Sequence, residues 1–187
     1  MADWVEQPIL LINKDLRFVP KDRSVVEAYI ESLEAKLLQV TDVDQRVSVQ
    51  GEIAAYLNVL DRLESAEALL RDALTSIQRE GLGIRREIQQ KIRLAHVLQH
   101  KREFDKSTKM FEEILNICKS DSDAKVYLDF AYQHSGNNFF DQEKYDLALQ
   151  AFTTALCLRQ TKNAPLEQLD STTAAIARTR QKMRSKS

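Results

Sequence analysis

Apolar residues in the middle of the chain recur at helical spacing, and the whole pattern returns after a constant interval. Segments that begin at Leu63, Phe104 and Tyr145 each carry a large apolar residue and a small residue three positions later. A second large residue follows four positions on, and then an apolar pair. Spacings of three and four residues align side chains on one face of an α-helix. Both intervals, 63 to 104 and 104 to 145, are 41 residues, which predicts a repeat array.

Another helical pattern precedes the first two segments at the same interval. Residues 53–57 read Ile-Ala-Ala-Tyr-Leu, and residues 94–98 read Leu-Ala-His-Val-Leu. A short turn separates each of these patterns from the segment that follows it. We therefore predict that the repeated unit is a helical hairpin with a first helix, a tight turn and a second helix. Such units bury their apolar faces only by stacking on their neighbours.

The third unit departs from this interval. Its first helix carries Phe130 and Ala131, which lie five residues earlier than the interval requires. We predict that this helix covers about residues 123–135 and that residues 135–141 form a longer turn. The Gly-Asn-Asn sequence in that turn tolerates the positive φ angles found at helix ends.

The remaining segments are assigned from caps, prolines and charge. We expect a last helix that closes the array, because Arg180 stands where the earlier first helices have Leu57 and Leu98. The predicted domains are an irregular or short β-hairpin arm at 1–20, an N-terminal helix at 21–42 and a repeat domain at 43–187, with units at about 43–80, 84–119 and 123–160 and a capping helix at about 163–184.

The N-terminal arm allows two interpretations. It contains the apolar run Ile9–Ile12 between Pro8 and Pro20. Proline cannot donate to a strand ladder, so any strand in this arm lies at an edge. The arm either packs over the first helix or serves as a contact for dimerisation or for a partner.

The repeated positions resemble those of the tetratricopeptide repeat (TPR) family over about residues 45–183. The second-helix signature of the family is matched by Tyr145, Ala148, Phe152 and Ala155. The 41-residue interval exceeds the usual length of about 34 residues, and so resembles the long-period variants in kinesin light chains and bacterial regulatory proteins. The resemblance implies an all-α, right-handed superhelical solenoid of three helical hairpins, with an N-terminal helix and a C-terminal capping helix.

In this family the first helices line a concave groove that binds an extended peptide or a partner helix. Matched by position, the groove residues are Ser48, Gly51, Glu52, Ala55, Asn58 and Val59 in the first unit, Gln89, Ile92, Arg93, His96, Gln99 and His100 in the second, and Lys125, Leu128, Asp129 and Tyr132 in the third. The resemblance implies that partner binding is carried by Asn58, Gln89, Arg93, His96, Gln99, His100, Lys125, Asp129 and Tyr132.

Composition excludes several classes of function. The net charge is −1, so no overall field attracts nucleic acid or an anionic membrane. No apolar run reaches the roughly 18 residues of a membrane span. The two cysteines, Cys118 and Cys157, lack metal-ligand spacing and fit a reducing compartment. We expect a cytoplasmic protein.

No catalytic constellation is present in the sequence. There is no glycine-rich phosphate loop, nucleophile elbow or Cys/His cluster. His96 and His100, four residues apart on one helix, have a spacing that can hold a metal, but no third ligand lies nearby in the sequence. We therefore predict a non-enzymatic protein-interaction module without cofactor or metal. The alternative is a dimeric regulatory sensor or chaperone-like subunit that assembles through residues 1–40.

Overall fold

The computed structural model describes residues 7–185, and the chain forms two compact units that divide between Lys101 and Arg102. The first unit contains strands β1 (Leu10–Ile12) and β2 (Phe18–Pro20) and helices α1 (Arg23–Gln39), α2 (Val43–Val59), α3 (Leu63–Glu80) and α4 (Ile84–His100). The second contains α5 (Phe104–Ser120), a short 3-10 helix (Ala124–Tyr127), α6 (Leu128–Asp141), α7 (Tyr145–Thr161) and α8 (Leu166–Arg184).

The part of the predicted arm that the structure describes is a β-hairpin. β1 and β2 pair antiparallel, with Leu11 opposite Val19. The side-chain oxygen of Asn13 closes the connection, because it accepts the backbone N–H groups of Asp15 at 2.8 Å and Arg17 at 3.1 Å. Residues 1–6 of the arm lie outside the described residues.

The helices follow the 41-residue interval along the chain. The first helices α2 and α4 begin at residues 43 and 84, and α8 begins two intervals after α4, at residue 166. The second helices begin at residues 63, 104 and 145. The turn residues Asp61, Arg102 and Glu143 have positive φ angles of 59°, 63° and 60°, again 41 residues apart. The backbone therefore repeats its turns as closely as its helices.

Each second helix buries one stripe with a spacing of four, three and four residues. In α3 the stripe includes Ala66 and Leu70, both 0% exposed, and Ala148 and Phe152 of α7 are equally buried. The small residue admits a neighbouring backbone, and the large one contributes on the order of 1.5–3 kcal/mol through its burial. The full stripes are Ala66, Leu70, Ala73 and Ile77; Ser107, Phe111, Ile114 and Cys118; and Ala148, Phe152, Ala155 and Arg159. The predicted core positions of the second helices are confirmed.

The predicted loop in the third unit is wrong. Helix α6 continues to Asp141 and ends 41 residues after α4. The small residue equivalent to Ala95 is therefore Gly136 and not Ala131. A Cβ atom built on Gly136 would lie 2.5 Å from Phe152 Cε1, so the helices meet at a distance that only glycine allows. This packing overrides the weak helix propensity of Gly-Asn-Asn.

Candidate partner-binding face

The first helices of the N-terminal unit carry a row of half-buried residues on one face. In α4 the row is Gln89, Arg93, His96 and His100, with a spacing of four, three and four. In α2 the positions 41 residues earlier are Ser48, Glu52, Ala55 and Val59, and they are also half-buried. Other faces of α4 bury residues such as Ile88, Leu94 and Ala95, which are at most 1% exposed. The row is thus anchored by a packed helix while its side chains remain accessible.

The end of the row is organised by an amide and two imidazoles. His100 Nδ1 lies 2.9 Å from Asn58 Oδ1, a distance at which the ring donates to the amide oxygen. The rings of His96 and His100 stack, with centroids 6.2 Å apart and an angle of 6° between their planes. The neutral His100 ring then presents Nε2 as an acceptor, and the protonated ring presents a second donor. This end of the row can meet either a donor or an acceptor.

Gly51 sets the position of the arginine in the row. A Cβ atom at residue 51 would lie 2.5 Å from Arg93 Nη1 and would also overlap Gln90 Oε1. Arg93 Nη1 in turn donates to Gln90 Oε1 at 3.1 Å. The absent side chain therefore lets Arg93 lie against the backbone of α2.

Ion pairs between elements hold the helices that carry the row. Both nitrogens of the Arg86 fork donate to the Asp44 carboxylate at 2.5 Å, and this contact lowers the pKa of Asp44. Lys101 Nζ donates to Glu67 at 2.7 Å and lowers the pKa of the Glu67 carboxyl. The two pairs connect α2 with α4 and α3 with the end of α4.

Tyr29 connects α1 to the row. Its hydroxyl donates to Glu52 Oε1 at 2.9 Å. Burial, followed by the hydrogen bond to Glu52, raises the pKa of Tyr29 to about 12. The phenol therefore stays protonated and keeps this donor role at physiological pH.

The structure places two predicted site residues away from the surface. Gln99 and Asp129 are each only 2% exposed, so their side chains do not line an accessible face. Asn58, Gln89, Arg93, His96 and His100 come together on α2 and α4, as described above.

The predicted residues of the third unit do not share a face. Lys125 is exposed in the 3-10 helix, and Tyr132 lies under Lys119, whose Nζ is 5.6 Å from the ring centroid. The error follows from the five-residue shift that the sequence suggested for this unit. With the observed register, the equivalents of the α4 row are Phe130, His134, Asn137 and Asp141, all half-buried.

A buried charge cluster in the second unit accounts for Asp129. Arg159 Nε donates to Asp129 Oδ2 at 3.1 Å, and Lys162 Nζ donates to Asp129 Oδ1 at 2.6 Å. Arg159 also donates to the backbone oxygen of Gln168 at 2.9 Å and to Thr172 Oγ1. The cluster joins α6, α7 and α8, so its role is structural. An arginine at the stripe position held by Ile77 and Cys118 was the sequence signal for it.

His134, which belongs to the row of α6, is uncharged at neutral pH. Burial lowers its pKa to about 4, and the positive charge of Arg159 acts in the same direction. The negative charge of Asp129 opposes them with a smaller effect. The equivalent residue in α4 is Arg93, so the two units present different chemistry at the same repeat position.

The described residues offer little for catalysis or metal binding. Within residues 7–185, no group of three or more His, Cys, Asp and Glu side chains is arranged to hold a metal ion. In the same range, no helix combines the length and apolarity needed to cross a bilayer. A trough of about 810 Å³ beside the α3–α4 turn has Leu74, Ile77 and Ile84 among its lining residues, with Arg71 and Lys91.

The chain is similar in structure to BtubC (BKLC) from P. vanneervenii, known from a crystal structure. The TM-score is 0.61 at 18% sequence identity, and the match covers 86% of this chain and 64% of the BtubC chain. No family model matches the sequence, and no curated protein matches it. The likeness concerns the fold alone. Together with the observed helices, it confirms the predicted all-α solenoid class of TPR-like helical hairpins.

Proposed function

We propose that the protein is a non-catalytic interaction module that binds an extended peptide or a partner helix along the row of α2 and α4. The observation that carries this proposal is the alignment of Gln89, Arg93, His96 and His100 on one half-buried helix face. Side chains fixed by packed helices lose little conformational entropy on binding, which favours affinity.

The chemistry of the row indicates the kind of segment it fits. Arg93 brings a guanidinium group, and His96 and His100 bring imidazoles. Backbone carbonyls and acidic side chains accept hydrogen bonds from these groups, and charge-assisted bonds are the stronger ones. Ala55 and Val59 supply a short aliphatic strip on α2. A segment with acidic and small apolar residues matches this surface best.

We also infer that the chain is a long-period TPR variant that acts in the cytoplasm. The interval of 41 residues between equivalent helix starts supports the first statement. The net charge of −1 and the cysteine usage support the second.

Peptide selection tests the binding face. Peptides would be selected from a random display library against the full chain, and their dissociation constants measured by fluorescence anisotropy. Because Arg93→Ala and His96→Ala remove charge-assisted contacts, each should weaken binding about tenfold, equivalent to about 1.4 kcal/mol. Lys109→Ala, an exposed change on α5, is the matched control and should leave the constants unchanged. Equal affinities for all variants would sink the proposal.

A further inference from the structure

Exposed apolar side chains concentrate at the N-terminal end of the described chain. Of the nine large hydrophobic residues exposed within residues 7–185, six lie between residues 9 and 38. Four belong to the hairpin region, where Ile9, Leu11, Ile12 and Phe18 are between 49% and 57% exposed. A two-stranded hairpin with this much uncovered apolar surface is marginal in water and prone to pair with another strand.

The hydrogen-bond register shows which backbone groups of β1 point outward. Asn13 N donates to Arg17 O at 2.9 Å, and Lys21 N donates to Ile9 O at 3.0 Å. Hydrogen-bonded pairs alternate with non-hydrogen-bonded pairs in an antiparallel ladder. Leu11 and Val19 are therefore the bonded pair inside the hairpin. Leu10 and Ile12 lie in non-bonded pairs, so their N–H and C=O groups face away from β2.

The two edges of the hairpin differ in their capacity to pair. The outer edge of β1 offers four backbone groups, from Leu10 and Ile12. The outer edge of β2 is interrupted by Pro20, which has no N–H, and only Phe18 presents a donor there. Strand addition is thus favoured at the edge of β1 and hindered at the edge of β2.

We propose that β1 pairs with β1 of a second copy of this chain, in an antiparallel arrangement around a two-fold axis at Leu11. In this register Leu10 lies opposite Ile12 of the second copy, and Ile12 lies opposite its Leu10. All of these residues have outward-facing groups, so four hydrogen bonds form between the copies. The edge is self-complementary, as a two-fold interface requires.

Pro20 gives this assembly a defined size. Pairing through β1 uses the open edge of both copies and leaves only the interrupted edges of β2 outside. The product is a closed dimer with a four-stranded sheet and not an open fibre. The contact lies apart from the row of α2 and α4, so it stands independently of the peptide-binding proposal.

A pair of proline variants tests the edge. Ile12→Pro removes an outward-facing N–H of β1, and Phe18→Pro removes the equivalent group of β2. Neither N–H is used inside the hairpin, so each variant retains the hairpin ladder. Sedimentation equilibrium of the full chain should show a concentration-dependent dimer for the parent and for Phe18→Pro, and a monomer for Ile12→Pro.

Cysteine cross-linking tests the register. The background is Cys157→Ser, because Cys157 is exposed whereas Cys118 is buried. Leu11→Cys places two thiols at a non-hydrogen-bonded pair on the axis, where Cα atoms lie about 4.5 Å apart, within disulfide reach. This variant should form a disulfide-linked dimer on mild oxidation. Val19→Cys, which neighbours Leu11 on β2, should remain monomeric on a denaturing gel. A parent chain that is monomeric at all concentrations overturns the proposal, as do equal effects of the two prolines or equal cross-linking of the two cysteines.

Discussion

At the scale of single residues, Gly136 decides how α6 and α7 meet. Its missing side chain leaves room for the ring of Phe152, which is 0% exposed. Local propensity treats Gly-Asn-Asn as a break, but burial of a phenylalanine is worth more than the roughly 1 kcal/mol that glycine costs in a helix. The sequence reveals the position of Gly136 only to a reader who holds to the 41-residue interval.

Gly136→Ala should destabilise the protein by about 1–2 kcal/mol. The added methyl overlaps the buried Phe152 ring, and this overpacking outweighs the better helix propensity of alanine. Chemical denaturation measures the change. In a Phe152→Leu background the same substitution should be neutral or stabilising. Equal destabilisation in both backgrounds would contradict the contact.

His134 should make stability depend on pH between about 4 and 6.5. Its pKa is lowered to about 4 in the folded protein, against 6.5 for the model value. The unfolded chain therefore binds more protons in this window, and stability falls as pH decreases from 6.5 to 4. Above pH 6.5 the histidine is neutral in both states and has no effect.

The measurement is the free energy of unfolding across this pH range, for the parent and for His134→Gln. The parent should lose on the order of 1–3 kcal/mol more than the variant. Asp44 and Glu67 have lowered pKa values, so their contributions are lost only at more acid pH, as the carboxylates become protonated. Parallel curves for parent and variant would rule out the burial effect.

At the scale of elements, the tight turns between paired helices share one strained backbone residue. Asp61, Arg102 and Glu143 are exposed, and each adopts a left-handed conformation with φ near 60°. This conformation costs an ordinary residue roughly 1–2 kcal/mol relative to a right-handed one. The repeat therefore retains a small local cost in each unit for the sake of the turn geometry.

Glu143→Gly should stabilise the protein by about 0.5 kcal/mol. Relief of the left-handed strain exceeds the added entropy of glycine in the unfolded chain. Glu143→Val should have the opposite effect, about 1–2 kcal/mol, because β-branched residues are least suited to positive φ. Thermal unfolding of the two variants gives the order of midpoints. A valine variant as stable as the parent would exclude a left-handed residue at this turn.

The elements also show what the sequence contains and what it lacks. The second helices were predictable because Ala66, Ser107 and Ala148 occupy one repeat position with apolar neighbours at fixed distances. The outward face of α4 was predictable for the same reason. The site residues of the third unit were not, since Phe130-Ala131 imitates the Leu94-Ala95 pair five residues too early. The cluster around Arg159 depends on contacts between three helices, which no local pattern encodes.

At the scale of the whole molecule, the all-α fold follows from periodicity, whereas the function does not. The buried stripes repeat, and so they explain stacking without distinguishing this chain from other repeat proteins. The half-buried rows do not repeat: Glu52, Arg93 and His134 occupy one position in three units. Recognition is thus expected where equivalent residues differ and where burial leaves them accessible.

The constant interval between helix starts also has a consequence for how such a chain changes over time. A helical hairpin whose start, turn and end return after 41 residues is a module of fixed length. Duplication or loss of one complete module leaves every remaining helix with a partner of familiar shape. Insertion of a single residue inside a helix instead rotates all later side chains by about 100° and exposes the stripe. Such a gene is expected to grow and shrink by whole modules, and to vary freely only on its half-buried rows.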